Sequence, residues 1–506
     1  MVIHFKKILA ITGIFLLAAG QIKGQDSDLR EGPTVVLTLE QTIFLAADSS
    51  LEAFRSKNLY MSSHWAYRAF KAGRLPSLTL NLTPGQYNNM ITRRYNYEEN
   101  LDIYRRQQAF ESYGGLSLVQ NFDLLGGTFF MNTNLNYLRN FGDNTKTEYT
   151  SIPVRIGYQQ DLLGYNVFKW EKKIEPIKYE KAKKQLIQDI ENTAGLAAEH
   201  FFNLAMAQAE YDLYKENLLN ADTVYRIGEE RYKIASISQS DLLTLKLDRL
   251  NASNSLKKAD IKLKRAVFTL TSFLNMDKNT NIRVRLPSYP KSMNISADKA
   301  LSEAQANNPQ LLGYKQNILE SQQIVDKTKK ESMFNATIWA SIGYNQVGNT
   351  LSNAYRDPSR QDIVSLNVSI PLIDWGVRRG RYNMARNNLS VVEITAQQGE
   401  VKIEEDVLMT VGEFNIQKDL ITFAEEAFVI AEDAYAKTRQ QFIIGRADIN
   451  SLTLSRQRQQ EANRNYISAL EDYWLSYFRI RRLTLFDFEY GIPLSETVEY
   501  KIQNSK

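Results

Sequence analysis

The sequence predicts an α+β chain of two tandem repeats, in which long coiled-coil helices are joined to a small set of amphipathic strands. Three observations predict it. The two halves match each other segment by segment and in the same order. Short stretches in each half alternate apolar and polar residues, the period of a strand with one apolar face. Long stretches carry apolar residues at alternating spacings of three and four, the seam of a coiled coil. Each half then reads as helix, strand, strand, long helix, turn, long helix. The first repeat spans 38–287 and the second 296–487, joined by a linker at 288–295, with a tail at 488–506.

The chain begins with Lys6 and Lys7, an apolar run over 8–19, and the small residues Ala18, Ala19 and Gly20. That is the layout of a secretory signal peptide, assigned to 1–24 and followed by a linker over 25–37. The run is too short to span a bilayer comfortably. Thr38 and Ser296 open matched helices, each a capping-type residue with an acidic residue in the first turn. The match continues without a gap until Leu78, Leu80 and Leu82 fall opposite Ala336, Ile338 and Ala340. A second matched strand follows. Val154, Ile156 and Tyr158 alternate with Arg155, Gly157 and Gln159, and Leu366, Val368 and Ile370 alternate with Asn367 and Ser369.

Between its two matched strands the first half holds roughly 46 additional residues, from the shift in repeat offset. Strand-like stretches at 116–122 and 128–138, joined by Leu124, Leu125, Gly126 and Gly127, read as an extra hairpin within 110–148. It either adds two strands to the sheet or covers one end of it; an up-down pair preserves the strand order and favours the first. The long helices come next. Leu242, Leu245, Arg249, Ala252, Leu256, Ala259, Leu263 and Ala266 share a register with Leu452, Ser455, Gln459, Ala462, Tyr466, Ala469, Tyr473 and Ser476. Upstream, Leu204, Ala207, Tyr211, Tyr214 and Leu218 keep the same spacing, as do Phe428, Ala431, Tyr435, Thr438 and Phe442. The first long helix, from about Tyr165 to Ala235, would reach roughly 100 Å at 1.5 Å per residue. Pro176 marks its first turns or a kink near them.

Composition narrows the function. Hydrophobic residues make up 43% of 506, too few for a bundle of membrane helices. Charge is nearly balanced at +5, and no basic run interleaves with aromatics, so no nucleic-acid partner is expected. There is no cysteine, hence no disulfide and no lipid on an N-terminal cysteine. Past the signal, no apolar stretch approaches the roughly 20 residues of a membrane helix. A chain of this kind crosses a membrane only as a closed β-barrel. One copy has too few strands to close one, so its edges demand further copies.

Catalysis has little support, and no catalytic, cofactor or metal residue is expected. Of three histidines, His4 lies in the signal, and His64 and His200 sit in separate helical segments without metal spacing. Glu98 and Glu99 lie in a polar loop without a nucleophile or base. Gly114-Gly115 and Gly126-Gly127 read as turns, with no P-loop lysine after them. Tyr87, Tyr95, Tyr97, Tyr104, Phe110 and Tyr113 read equally well as a barrel's aromatic girdle or as an extracellular loop. Arg378, Arg379 and Arg381 mark either the shoulder of a barrel or an ordinary basic helix start.

The pattern resembles the TolC-like outer-membrane efflux family over about 38–485. Three features carry the likeness: the paired helix openings LEQTIFLAADSS and ADKALSEAQANNP, with KAGRLPSLTLNL closing the first of them; SLNVSIPLIDWGVRRGRYNMARNNL at 365–389; and the turns RYKIASISQSDLLTLKLDRLNA and QFIIGRADINSLTLSRQRQQEA. The resemblance implies a homotrimer whose chains share one transmembrane β-barrel in outer-membrane lipid, above a periplasmic helical tube. It implies a passive exit duct of a tripartite efflux or type I secretion system, working with a periplasmic adaptor and an inner-membrane pump. The adaptor-docking tip would be Ile234, Ala235, Ser236, Ile237 and Ser238 with Ile444, Gly445, Arg446, Ala447 and Asp448. The tip departs from the family pattern: Ala235 stands where Gly is common, and Ala447, Ser451 and Leu454 stand where some members carry charged gating residues. The competing reading is an exported coiled-coil scaffold without a pore. A scaffold buries the apolar strand face against its own helices; a duct leaves that face for lipid.

Overall fold

The computed structural model describes residues 34–141, 145–287 and 293–496. The signal peptide, most of the two linkers and the end of the tail lie outside them. The chain opens with β1 (Thr34–Leu37), α1 (Leu39–Ser49) and α2 (Leu51–Ala72). Four strands follow: β2 (Ser77–Asn96), β3 (Leu101–Phe122), β4 (Gly127–Phe141) and β5 (Lys146–Asp161). Then come α3 (Val167–Lys233), α4 (Gln239–Phe273) and β6 (Asn281–Val284). The second series is α5 (Ala297–Asn307), α6 (Pro309–Glu331), β7 (Asn335–Gly348), β8 (Ser359–Ser369), α7 (Val377–Ile443) and α8 (Ile449–Thr484), closed by β9 (Phe486–Asp487) and β10 (Ile492–Pro493).

The first helix starts where its cap chemistry directs. Thr38 accepts from the Gln41 N–H while the Gln41 side chain accepts from the Thr38 N–H, a capping box that satisfies two otherwise orphaned donors. Its counterpart Ser296 stands at the N-cap of α5 without a side-chain bond. α3 and α7 are each 67 residues long, roughly 100 Å at 1.5 Å per residue. Helix α3 runs through Pro176. Laterally the long helices lie in the order α4, α3, α8, α7, each packed on the next. The core sits where the middle thirds of α3 and α7 and the C-terminal parts of α4 and α8 meet α1, α5 and the parallel pair β1–β6. Phe201, Phe202, Leu204, Phe414, Leu470 and Ile480 are fully buried there. Ala194, Ala197, Ala198 and Ala205 on α3 keep the approach close. No helix among the described residues is long and apolar enough to cross a membrane.

The six long strands form one antiparallel sheet in the order β2-β3-β4-β5-β7-β8. All four junctions with helices fall at one end, because Ser77, Asp161, Asn335 and Ser369 lie there together with the β3–β4 turn. The extra hairpin is part of the sheet, and its strands are longer than the sequence reading allowed. The aromatic stretch read as a possible loop is mostly strand: Tyr87 and Tyr95 lie in β2, and Tyr104, Phe110 and Tyr113 in β3. Only 97–100 forms the turn, which holds Glu98 and Glu99. β4 pairs with β3 from Gln108 onward, so 101–107 and the facing part of β2 continue as a two-stranded ribbon.

Candidate functional site

Side chains in register across a sheet share one face. One row reads Leu78, Leu118, Met131, Ile156, Ile342, Asp362 across the six strands; the adjacent row reads Thr79, Ser117, Asn132, Arg155, Gly343, Gln361. The sheet therefore has an apolar and a polar face; Asp362 on β8 is the exception in the first row, and farther along β8 Val364, Leu366 and Val368 carry the apolar face. The apolar face is not covered by the chain's helices. Leu78, Leu80, Leu82, Met131, Ile156, Ile342, Val364 and Leu366 are all exposed, a larger apolar surface than a water-soluble chain tolerates. The scaffold reading required burial against the chain's own helices, which does not occur. On the polar face Arg155 donates to the Gln361 side-chain carbonyl at 2.9 Å, and Asn136 donates to Glu111 at 2.9 Å.

The second feature is the far end of the helices, where the two expected tip segments lie side by side. Each is built in the same way. Ser236 N–H donates to the Arg231 carbonyl at 2.8 Å and Ala235 N–H to the Tyr232 carbonyl at 3.0 Å; Arg446 N–H donates to Gln441 at 2.8 Å and Gly445 N–H to Phe442 at 3.0 Å. This is the Schellman closure of a helix, which needs one residue in the left-handed region. Ala235 (φ 55°) and Gly445 (φ 81°) supply it. The returning helices are capped by Ser238, paired reciprocally with Asp241, and by Asp448, which accepts from the Ser451 N–H at 2.6 Å. These hydrogen bonds hold both carboxyls below the usual range, through Ser238 and Ser451 respectively. Ile234 and Ile444, in equivalent positions, are exposed.

Residues missed at the sequence level hold the tips together. Arg231 donates to the Ile443 carbonyl at 3.3 Å, and Arg439 reaches Glu216 at 3.7 Å. These link segments about two hundred residues apart, and nothing local in the chain signals them. Gly228 is buried where α4 crosses α3; a Cβ there would stand 2.4 Å from the Leu245 Cδ1. The turn itself yields a test. An alanine in the left-handed region costs about 1 kcal/mol relative to glycine. Ala235→Gly should therefore slow hydrogen exchange of the amides of 235 and 236 about fivefold, and Gly445→Ala should speed that of 445 and 446 by a similar factor. Unchanged exchange in both would reject the left-handed turns.

The weighed titratable residues do not come together. His64 Nδ1 lies 3.2 Å from the Tyr179 hydroxyl, and His200 packs edge-on to Phe273. Burial lowers the His200 pKa. Arg378 lies 3.6 Å from Asp374 at the start of α7. Among the described residues, no group of acidic, histidine or cysteine side chains could hold a metal ion. One carboxyl stands apart: Glu471 on α8 is pushed up to about 7 by burial, with Asp472 and Glu199 adding repulsion. The folded chain then keeps a proton that the unfolded chain loses, so stability falls as pH rises from about 4.5 to about 7 and is level outside that window. Glu471→Gln should stabilise the fold at pH 8 by about 1–2 kcal/mol, after discounting for solvent around a half-buried group, and leave it unchanged at pH 4. Urea unfolding of both chains at the two pH values reads this directly.

Residues 300–484 match the family described as outer membrane efflux protein. Comparison with the curated proteins finds no significant sequence match. Among solved structures, the chain superposes on the Campylobacter jejuni CmeC outer membrane channel with TM-score 0.65 at 13% identity, covering 92% of this chain and 88% of that one. The outer-membrane channel OprN gives 0.63 at 12%, with 89% and 90% covered. The outer membrane protein VceC of Vibrio cholerae gives 0.57 at 13%, with 88% and 95% covered. The chain has the fold of outer-membrane efflux channels, and its residues 300–484 carry the sequence pattern of the outer membrane efflux family.

Proposed function

We propose that this chain, an outer membrane efflux protein by fold and by the sequence of its second repeat, is one third of a homotrimeric exit duct. The duct passes solutes from a periplasmic helical tube through a barrel in the outer membrane and catalyses nothing. The observation that carries the reading is a double incompleteness. The sheet exposes an apolar face over its full width and leaves β2 and β8 as unpaired edges. The row of long helices likewise ends in α4 and α7. Lipid satisfies the face, and further copies satisfy both pairs of edges at once. The likeness to the TolC-like family supports the number three.

In this reading the tips 234–238 and 444–448 face the periplasmic adaptor that connects the duct to an inner-membrane pump. The two exposed isoleucines and the rigid, capped turns support that role. The pump supplies the energy and the duct opens and closes.

The test is conductance of the purified mature protein in a planar bilayer, with the oligomeric mass measured in the same detergent. A trimer giving discrete currents is the expected result; a soluble monomer without current would overturn it. Ala235→Arg and Gly445→Arg should each abolish export in cells while trimers persist. Unchanged export would reject the docking role of the tips and leave the duct standing.

A further inference from the structure

The two repeats contribute unequally to the sheet. The second supplies β7 and β8; the first supplies β2, β3, β4 and β5. Were both built on the plan of the second, three copies would close a barrel of twelve strands. Six strands per chain make eighteen. The physical question is whether β3 and β4 are wall or ornament, and their side chains answer it.

The apolar row runs through both without a break, since Leu118 and Met131 stand between Leu78 and Ile156. So does the polar row, through Ser117 and Asn132. Two aromatic clusters bracket the apolar face. At the end near the helices, Phe122 contacts Phe129 at 6.0 Å and Phe129 contacts Tyr158 at 4.5 Å. At the other end, Phe110 contacts Tyr137 at 6.3 Å and Tyr137 contacts Tyr149 at 5.1 Å. Four of these six rings belong to β3 and β4, and the other two to β5. Phe129 and Tyr137 are eight positions apart on β4, roughly 26 Å along a strand, on the order of the ~25 Å apolar band that aromatic girdles flank in membrane barrels. A hairpin lying over the mouth in water would have no use for a lipid-facing band or for girdles at its two ends.

We propose that β3 and β4 are membrane-spanning wall strands and that three copies close an eighteen-stranded barrel, a proposal that rests on the trimeric duct for its count of copies. Barrel diameter grows roughly in proportion to strand number, and at this size the interior is an open aqueous channel. The lumen is lined mainly by uncharged polar side chains, among them Thr79, Ser117, Asn132, Asn134 and Asn367, with Arg155 a lone cation in the middle row.

The absence of cysteine makes the test clean. Single cysteines are placed at Leu116, Ser117, Leu118, Met131, Asn132 and Asn134 of the full chain, and native outer membranes are treated with a membrane-impermeant maleimide. Ser117→Cys, Asn132→Cys and Asn134→Cys should react at least tenfold faster than Leu116→Cys, Leu118→Cys and Met131→Cys. Uniform reaction on both faces would overturn the wall assignment. Oligomeric mass is read on the same samples, and a chain that alternates but is not trimeric would overturn the strand count through the duct reading instead. End-on electron-microscopy averages of the trimers should show a barrel about half as wide again as one of twelve strands; a twelve-strand diameter would overturn the proposal.

Discussion

Glutamate at Ile416 and Phe423 together should abolish assembly and leave the chain folded. Helix α7 exposes Ile394, Val401 and Leu408 in steps of seven, then Met409, Ile416, Phe423 and Ile430 in steps of seven. Apolar residues at that interval on a straight helix are a coiled-coil seam, and a seam requires a second helix. Within the chain, α7 already turns its other side inward, where Ile403, Val407, Val411, Phe414 and Ile421 are buried. The exposed stripe therefore contributes nothing to the core that folds the protomer. Helix α4, at the opposite end of the row, exposes Leu247, Ile261 and Phe268 at multiples of seven. In the proposed trimer, the stripe of one copy would meet that of the next as the row closes on itself. Completing the burial of a half-exposed aliphatic or aromatic side chain gains about 1 kcal/mol, and a stripe holds several. Two carboxylates in each of three seams reverse that gain and add the cost of burying unpaired charge. The expected result by light scattering in detergent is loss of the trimer, with helical circular dichroism unchanged. Ile416→Leu with Phe423→Leu should keep the trimer. A trimer that survives the glutamates would place the seam on another face.

What the sequence shows of this molecule follows from the range of the forces involved. Helix and strand periods are local, so 204–218 and 242–266 are readable as seam, and 116–122 and 128–138 as strands. Their alternation reflects a face that must meet lipid and a face that must meet water. The stretch 90–107 carries no such alternation, because the ribbon it forms is exposed on both sides and nothing selects one face as apolar. Its tyrosines therefore read equally as girdle or loop, although the stretch is largely strand. The turns themselves rest on local chemistry, with Ser238 and Asp448 capping the returning helices and Gly445 closing an outgoing one, whereas their reading as tips comes from the resemblance. Ala235 announced nothing, since alanine is the best helix former and adopts the left-handed conformation here under the same closure that suits glycine better. The ties that hold the tips and the core, through Arg231 and Arg481, join segments brought together only by the completed fold. The efflux-family pattern is matched over 300–484, and the first half, which carries the two additional strands, keeps the order of elements.

Arg481→Ala should destabilise the fold by about 3–5 kcal/mol, the cost of leaving buried charge without its partner. The guanidinium sits at the junction of α8, the middle of α3 and the closing β9–β10 hairpin. Its Nε and Nη2 donate to both oxygens of Glu191 at 2.8 and 2.9 Å, and its Nη1 donates to Asp487 at 2.7 Å and to the Tyr477 hydroxyl at 3.3 Å. Glu191 is 6% exposed and Asp487 5%, so solvent cannot replace those bonds. Burial works to lower the pKa of Arg481, and the Glu191 and Asp487 carboxylates outweigh it, so the group holds its charge more firmly than an arginine in water. Asp487 has other donors, the N–H groups of Glu489 and Tyr490 at 2.9 and 3.2 Å. The larger share of the loss should therefore fall on Glu191. This sets an order that can be measured by urea unfolding. Arg481→Lys keeps the charge but not the fork that grips both oxygens of one carboxylate, and should lose about half as much as alanine. Arg481→Met with Glu191→Leu removes the stranded charge along with its partner and should recover most of the loss. If Arg481→Ala cost less than about 1 kcal/mol, the cluster would be behaving as a solvated surface pair. If the double replacement were no better than Arg481→Ala, the bonds of Arg481 to Asp487 and Tyr477, rather than its pairing with Glu191, would be what holds the C-terminal hairpin to the long helices.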